Sequence, residues 1–339
     1  MKIFLTGGTG FIGRPLTQRL LERGWEVIAL VRNPESNESK EIKSLGAHLI
    51  QGNVTNKESM RAGMQGADVV IHNAGWYEFG ICKQDHEKMF RINVEGTQNT
   101  LDLAVELRIP RIIHTSSILA YGRTGDIVVD ESYVRQFPPL TYYEETKMKA
   151  HEIATSLQKQ GAPIIITCPA GVIGPGDHSA TGYLVRMYVR HCLPPILWTP
   201  NGKLAHVNVD DAAEGIARCV EYGKIGEVYL LSNGNQTHRE MSEDWKKCDG
   251  GCKKTWFWLP NSIAFFLNRV AEPIERLLGF PIVFCKEFIL TAKDNWQFSA
   301  AKAERELHMQ FRSLEQAWCD TIEGERILAK KKKESKLKQ

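Results

Sequence analysis

The first thirteen residues, MKIFLTGGTGFIG, carry a short apolar strand into Gly7-x-x-Gly10-x-x-Gly13, and the helical pattern PLTQRLLERG follows. Glycine at these places serves three needs: a tight turn, close approach of the backbone to a pyrophosphate, and close packing of a new helix on the strand. The start of that helix offers unpaired N–H groups and the positive end of its dipole, which favour phosphate. With a strand expected at Lys2–Thr6 and a helix from about Phe11, the motif has the strand–turn–helix context it needs. It is read as a dinucleotide site rather than a ligand-free turn.

Strands and helices then alternate. Helices are expected at Phe11–Arg23, near Ser36–Leu45 and Lys57–Met64, from about Asp85 to Leu107, and around Thr141–Gln160. Strands are expected at Trp25–Val31, Ala47–Gln51, Asp68–His72, Arg111–Thr115 and Pro163–Cys168. Such alternation builds right-handed βαβ units, hence a doubly wound parallel sheet covered on both faces, an α/β Rossmann arrangement. After Pro169 the pattern loosens into GVIGPGD, a helix near Thr181–His191 and the turn LPPILWTPNG, and it becomes regular again in Val209–Tyr222 and Glu227–Leu231. From about Thr237 the chain reads as mainly helical and rich in aromatics. The expected organisation is a dinucleotide-binding domain from 1–170 and 206–231, a smaller, discontinuous C-terminal substrate lobe from 171–205 and 232–325, and a Lys-rich tail over 326–339.

Composition mainly excludes. A net charge of +3 over 339 residues gives no case for nucleic acid, and the basic run Lys330–Lys333 with Lys336 and Lys338 reads as a solvated, frayed end. The apolar runs WFWLP, IAFFLNRV and FCKEFIL are shorter than the roughly 20 residues that span a bilayer. They are read as pocket walls and packing surface in preference to a membrane-surface face, with Trp256, Trp258, Phe265, Phe266 and Phe288 as candidate apolar residues. Met1 leads straight into the first strand with no signal peptide, so a cytoplasmic protein is expected, and a homodimer is left open. Of the eight cysteines only Cys248 and Cys252 are close together, and no second Cys or His pair completes a zinc site. All eight are expected to be reduced thiols, and no metal is expected.

The second informative pattern is Tyr143-x-x-x-Lys147 in TYYEETK. Four residues apart on a helix, the two side chains share a face. A Lys ammonium beside a phenol favours the phenolate, so the Tyr143 pKa is expected to fall toward working pH, where it could trade a proton with an alcohol or carbonyl oxygen. Tyr142 lies on a different face and is read as packing. Thr115-Ser116-Ser117 ends the strand Arg111–Thr115 and so stands at the carboxyl edge of the sheet, where doubly wound folds bind ligands.

With these residues, the chain resembles the extended branch of the short-chain dehydrogenase/reductase superfamily, the NAD(P)-dependent epimerases and dehydratases, over nearly its whole length. TGGTGFIG resembles the cofactor loop, DVVIHNA the stretch after the fourth strand, and INVEGTQN a helix with a structural Asn, here Asn93. HTSSILAYG is similar to the strand bearing the catalytic serine, and GVIGPGD, HVNVDDAAEGI and FSAAKAEREL to later landmarks. The resemblance implies Tyr143 as acid or base, Lys147 lowering its pKa and bonding the nicotinamide ribose, and Ser117, with Ser116 as the alternative, orienting the substrate oxygen. It sets the nucleotide against Gly7, Gly10, Phe11, Ile12, Gly13, Arg32, Asn53, Val54, Asn73, Ala74, Tyr143 and Lys147. Where an acid would bond the ribose 2′-OH of NAD, this chain has Arg32 in IALVRNP, which favours NADP(H) over NAD(H).

Departures from the branch separate the reactions. Nucleotide-sugar enzymes of this kind commonly hold the diphosphate with two arginines, and here those places read Cys168 and Leu204. Sugar dehydratases put acids after the catalytic Ser or Thr, but Ile118 and Leu119 follow Ser117. The chain is therefore closer to the dihydroflavonol-reductase-like and 3β-hydroxysteroid-dehydrogenase-like members. The expectation is an oxidoreductase transferring hydride between nicotinamide and a carbonyl or secondary alcohol of a small, largely apolar substrate. The alternatives are an NAD-dependent nucleotide-sugar epimerase and, in another class, a non-catalytic nucleotide-sensing or scaffold protein.

Overall fold

The computed structural model describes residues 1–249, 257–278 and 285–337. Its centre is a seven-stranded sheet in the order Val228–Leu231, Ile164–Pro169, Arg111–Thr115, Val69–His72, Lys2–Thr6, Glu26–Val31, His48–Gln51. Every neighbouring pair is parallel. The inner strands are almost continuous apolar runs, because helices cover both faces and no solvent side needs a polar residue. Ile3, Phe4, Leu5, Val70, Ile71, Ile112, Ile113, Ile164, Ile165 and Ile166 are all fully buried in the main core. The chain starts at Lys2–Thr6, builds outward through Glu26–Val31, then returns to place Val69–His72 on the other side of the first strand. That reversal opens a crevice beyond the carboxyl ends of these strands, where such sheets bind ligands.

Element boundaries move by a residue or two from expectation; the first helix, for example, is Gly13–Glu22. The helix expected over Asp85–Leu107 is three pieces: Lys83–Phe90, a π-helical turn Arg91–Glu95, and Gly96–Glu106. Short strands appear that the sequence did not suggest. Gly171–Ile173, Lys203–Asn208 and Gly234–Thr237 form a three-stranded sheet, and Ile196–Trp198 pairs with Phe257–Leu259. The Lys-rich tail is also corrected: the helix Leu314–Leu337 runs through it, with Lys330–Lys333 exposed on its last turns.

Much of the aromatic C-terminal third goes into packing. A second core gathers Tyr188, Trp198, Trp245, Ile289, Trp318 and Ile322. Phe265 and Trp258 are half-buried against it, Phe266 lies at the surface, and Trp256 falls outside the described residues. The expectation of reduced cysteines fails at one pair. Cys248, at the end of the helix His238–Cys248, is disulfide-bonded to Cys319 on the helix Leu314–Leu337, 71 residues away in sequence. The two helices meet only in the fold, so the spacing of neighbouring cysteines gave no sign of it. Cys168, Cys192, Cys219 and Cys285 are free thiols, and Cys252 lies outside the described residues. Among the described residues no helix is long and apolar enough to cross a membrane.

Candidate active site

The glycine loop lies where the first strand meets its helix. Gly7 has φ +72°, and a Cβ there would come within 2.7 Å of the Asn73 and Ala74 backbone, so neither the conformation nor the space admits a side chain. A Cβ at Gly13 would collide with the Gly7 carbonyl oxygen, whereas one at Gly10 meets only that oxygen, at 3.2 Å. Gly13 thus seats the helix, and Gly10 keeps the loop thin on its open side. The helix Gly13–Glu22 has neither a side-chain cap nor an acid in its first turn; Arg14 N donates to the Gly10 carbonyl at 3.0 Å and Pro15 has no N–H, so an anion there would meet the Gly13 N–H and the positive end of the helix dipole. Phe11 and Ile12 stand at its mouth, half-buried.

The other residues expected against the nucleotide follow the carboxyl ends of the next strands. Arg32 is exposed at the end of the strand Glu26–Val31. Asn53 gives its side-chain oxygen to its own turn, accepting from Thr55 N at 3.1 Å. Val54 is buried, and its carbonyl accepts from Asn99 Nδ2 at 3.0 Å. Ala74 N donates to Thr6 Oγ1 at 3.2 Å, and the buried Asn73 Oδ1 has no hydrogen-bond partner. An unpaired buried acceptor beside the glycine loop is what a bound ligand's donor would satisfy.

Tyr143 and Lys147 lie on one face of the helix Tyr142–Lys159, which Thr141 caps by accepting from Glu144 N. Both side chains are buried. Lys147 Nζ donates to the Thr115 carbonyl at 3.2 Å, which brings it to the end of the strand Arg111–Thr115 and next to the serines. Ser116 is buried and bonded to His151 Nδ1 at 2.9 Å. Ser117 is only half-buried, and its Oγ accepts from Leu119 N at 3.2 Å. Asn93 sits in the π-turn, where it pairs with both the N–H and the carbonyl of Trp76 and donates to Thr146 Oγ1 at 3.0 Å. It joins the loop after the fourth strand to the Tyr143 helix. Tyr142 is packing, stacked on His86 with centroids 3.8 Å apart.

One electrostatic expectation is overturned. Burial pushes the Tyr143 phenol above its ordinary value, because Lys147 turns its charge to the Thr115 carbonyl and does not offset the loss of water. Burial also lowers Lys147, to about 8. His72 and His151 are held down to about 3 and about 4 by burial, and secondarily by the Lys147 charge. At neutral pH the pair is therefore a protonated phenol beside a mostly charged ammonium.

Several site residues carried no sequence signal. Tyr77 and Phe79 meet the Tyr143 ring edge-on, with centroids at 4.9 and 6.0 Å, and Phe288, which the sequence offers as a candidate apolar residue, packs on Phe79 at 6.2 Å. Glu287 reaches across from the helix Lys286–Lys293 to accept from Gly80 N at 2.7 Å and Tyr142 N at 3.4 Å. An ion pair between the half-buried Arg135 and the buried Glu144 ties the loop beyond Ser117 to the same helix, where Glu144 Oε2 also accepts from Leu140 N. Cys168 is fully buried in the sheet, and Leu204 is half-buried on the strand Lys203–Asn208.

Residues 3–232 match the NAD dependent epimerase/dehydratase family. The chain is 31% identical to a dihydroflavonol 4-reductase so named in Synechocystis sp., over 94% of this chain and 93% of that one. It is 27% identical to a 3-beta-hydroxysteroid dehydrogenase of Mycolicibacterium neoaurum, covering 90% and 86% respectively. Among solved structures, the crystal structure of gox2253 superposes with a TM-score of 0.79 at 28% identity, covering 96% of this chain and 98% of that one. UDP-glucose 4-epimerase of Thermotoga maritima has the same fold, with a TM-score of 0.77 at 18% identity over 97% and 100%. A glycine cradle at the switch point, a buried Tyr–Lys pair and relatives named as reductases and dehydrogenases agree: the chain belongs to the NAD dependent epimerase/dehydratase family and is an NAD(P)-dependent oxidoreductase.

Proposed function

We propose that this enzyme uses NADP(H) to interconvert a carbonyl and a secondary alcohol on a small, largely apolar substrate. The observation that carries the reading is the wall of Tyr77, Phe79, Leu119 and Phe288 around Tyr143, together with Cys168 and Leu204 where a diphosphate would need arginines. A nucleotide sugar brought there would leave phosphate charge without partners in a partly dry site, which is costly. Arg32, exposed where an acid would select NAD, supports the phosphorylated nucleotide. Residues 1–170 and 206–231 would hold the nucleotide, and 171–205 with 232–325 would shape the substrate side.

When bound, the nicotinamide supplies or takes up hydride. In reduction Tyr143 donates its proton to the substrate oxygen as charge develops there, and its raised pKa keeps that proton in place at neutral pH. Lys147 would stabilise the phenolate left behind and would bond the nicotinamide ribose. Ser117 orients the substrate oxygen, since the Ser116 hydroxyl is already engaged with His151. The aromatic wall keeps water away from the reacting carbonyl.

The test is an NADPH-linked assay on aromatic and alicyclic ketones beside UDP- and GDP-sugars, run with wild type and Tyr143→Phe. The ketones should turn over, and the Phe variant should bind NADPH normally and lose at least about 10²-fold in rate, the scale of a lost positioned acid. Conversion of a nucleotide sugar with the ketones inert would favour the epimerase reading. Undiminished turnover in the Phe variant would remove Tyr143 from the chemistry.

A further inference from the structure

The helix Asn261–Leu278 is turned inside out. Its exposed face holds Ile263, Phe266, Leu267, Val270, Ile274 and Leu277, between 40% and 86% exposed. These positions step by three and four residues and so form one stripe along four turns. The face toward the protein carries Phe265, packed on the second core, together with Ala264, Asn268, Ala271, Glu272 and Glu275, all buried or half-buried. A surface helix of a globular protein ordinarily shows the reverse. In the ribbon just before the helix, Phe257 and Ile196 are registered partners and both exposed.

We propose that this face docks on a lipid bilayer surface, with the helix lying in the headgroup region. Two observations choose the bilayer over a second copy of the chain. An 18-residue helix is about 27 Å long and about 10 Å wide, so its stripe covers roughly 270 Å², well under the roughly 800 Å² that each partner contributes to a standard interface. An interfacial helix needs only to sink its apolar face about 5–10 Å. Among the described side chains of the helix the exposed charge is Arg269, while Glu272 and Glu275 are half-buried. Two copies would bring like charges together, whereas anionic headgroups complement the cation. The sequence alone favoured pocket walls for this segment; the exposure of its large residues changes that reading. The proposal is independent of the substrate assignment.

The test is flotation of the full chain with phosphatidylcholine–phosphatidylglycerol vesicles, comparing wild type with the Phe266→Glu/Leu277→Glu double variant. Both sites are exposed, so circular dichroism and nucleotide binding should be unchanged, and they serve as the folding controls. Wild type should float with the vesicles, and the variant's partition should fall at least about tenfold, since two charges then enter the apolar stripe. Failure of wild type to float, or equal flotation by both proteins, overturns the proposal. So does light scattering that finds wild type a dimer and the variant a monomer, because the face would then belong to a second copy.

Discussion

Lys147 should leave a single, readable limb in the pH profile of the free enzyme. Its neighbours are silent across the neutral and mildly alkaline range: His72 and His151 lose their protons near 3 and 4, and His114 well below its ordinary value, all through burial. Burial pushes Cys168 up to about 12 and raises Tyr143 as well. With Lys147 at about 8, about nine-tenths of the enzyme carries the ammonium at pH 7 and about one-tenth at pH 9. Because kcat/KM for the nucleotide reports ionisations of the free enzyme, it should be flat below about pH 7 and fall about tenfold per unit well above 8. Lys147→Arg should move that limb beyond the measurable range, and Lys147→Met should leave low, flat activity. Stability moves in the opposite direction. Lys147 is lowered from 10.5, so between about 8 and 10.5 the unfolded chain holds a proton that the fold has released, and stability rises with pH. Wild type should gain about 3 kcal/mol over Lys147→Met across that window, measured by denaturant unfolding. A limb centred near 10.5, or one that survives in Lys147→Met, would refute the argument.

Arg32→Ala should weaken NADPH far more than NADH, by about ten- to a hundredfold in preference measured by fluorescence titration, the worth of a charge-assisted bond of about 1.5–3 kcal/mol. Equal losses would mean that Arg32 does not read the phosphate. Cys319→Ser opens a cross-link between residues 71 apart, and the loop-entropy relation puts the cost at about 4 kcal/mol, to be read by denaturant unfolding with wild type in reductant as the matched control.

The central sheet was legible because its strands are mostly apolar runs, several of them ended by Gly7, Gly52, Asn73, Ser116 or Ser232, with helical patterns between them. Tyr143 and Lys147 could be paired by helix geometry alone, and Thr115 to Ser117 by their place at a strand end. Lys203–Asn208 and its partners were not legible, since short strands declare themselves only through pairing across the fold. The same holds for Tyr77, Phe79 and Glu287, which converge on the Tyr143 helix from a loop and from a helix far along the chain. Spacing placed Lys147 beside the tyrosine correctly, but it could not show that the ammonium would face a backbone carbonyl or that both groups would lose their water.

The π-turn at Arg91–Glu95 makes this part of the chain sensitive to residue count more than to residue type. A π-turn holds one residue more than an α-turn, so losing one there would restore a regular helix and rotate everything beyond it by about 100°. Thr97 would leave His72, which it now meets at 3.1 Å, and Asn99 would leave the Val54 carbonyl. Gly96, set so close to Val54 that a Cβ would come within 2.8 Å of its side chain, would hand that place to a bulkier neighbour. Arg91 and Glu95 point outward and can be exchanged freely, but a one-residue deletion between them would uncouple the nucleotide-side loops from the Tyr143 helix while leaving every residue named in the chemistry intact.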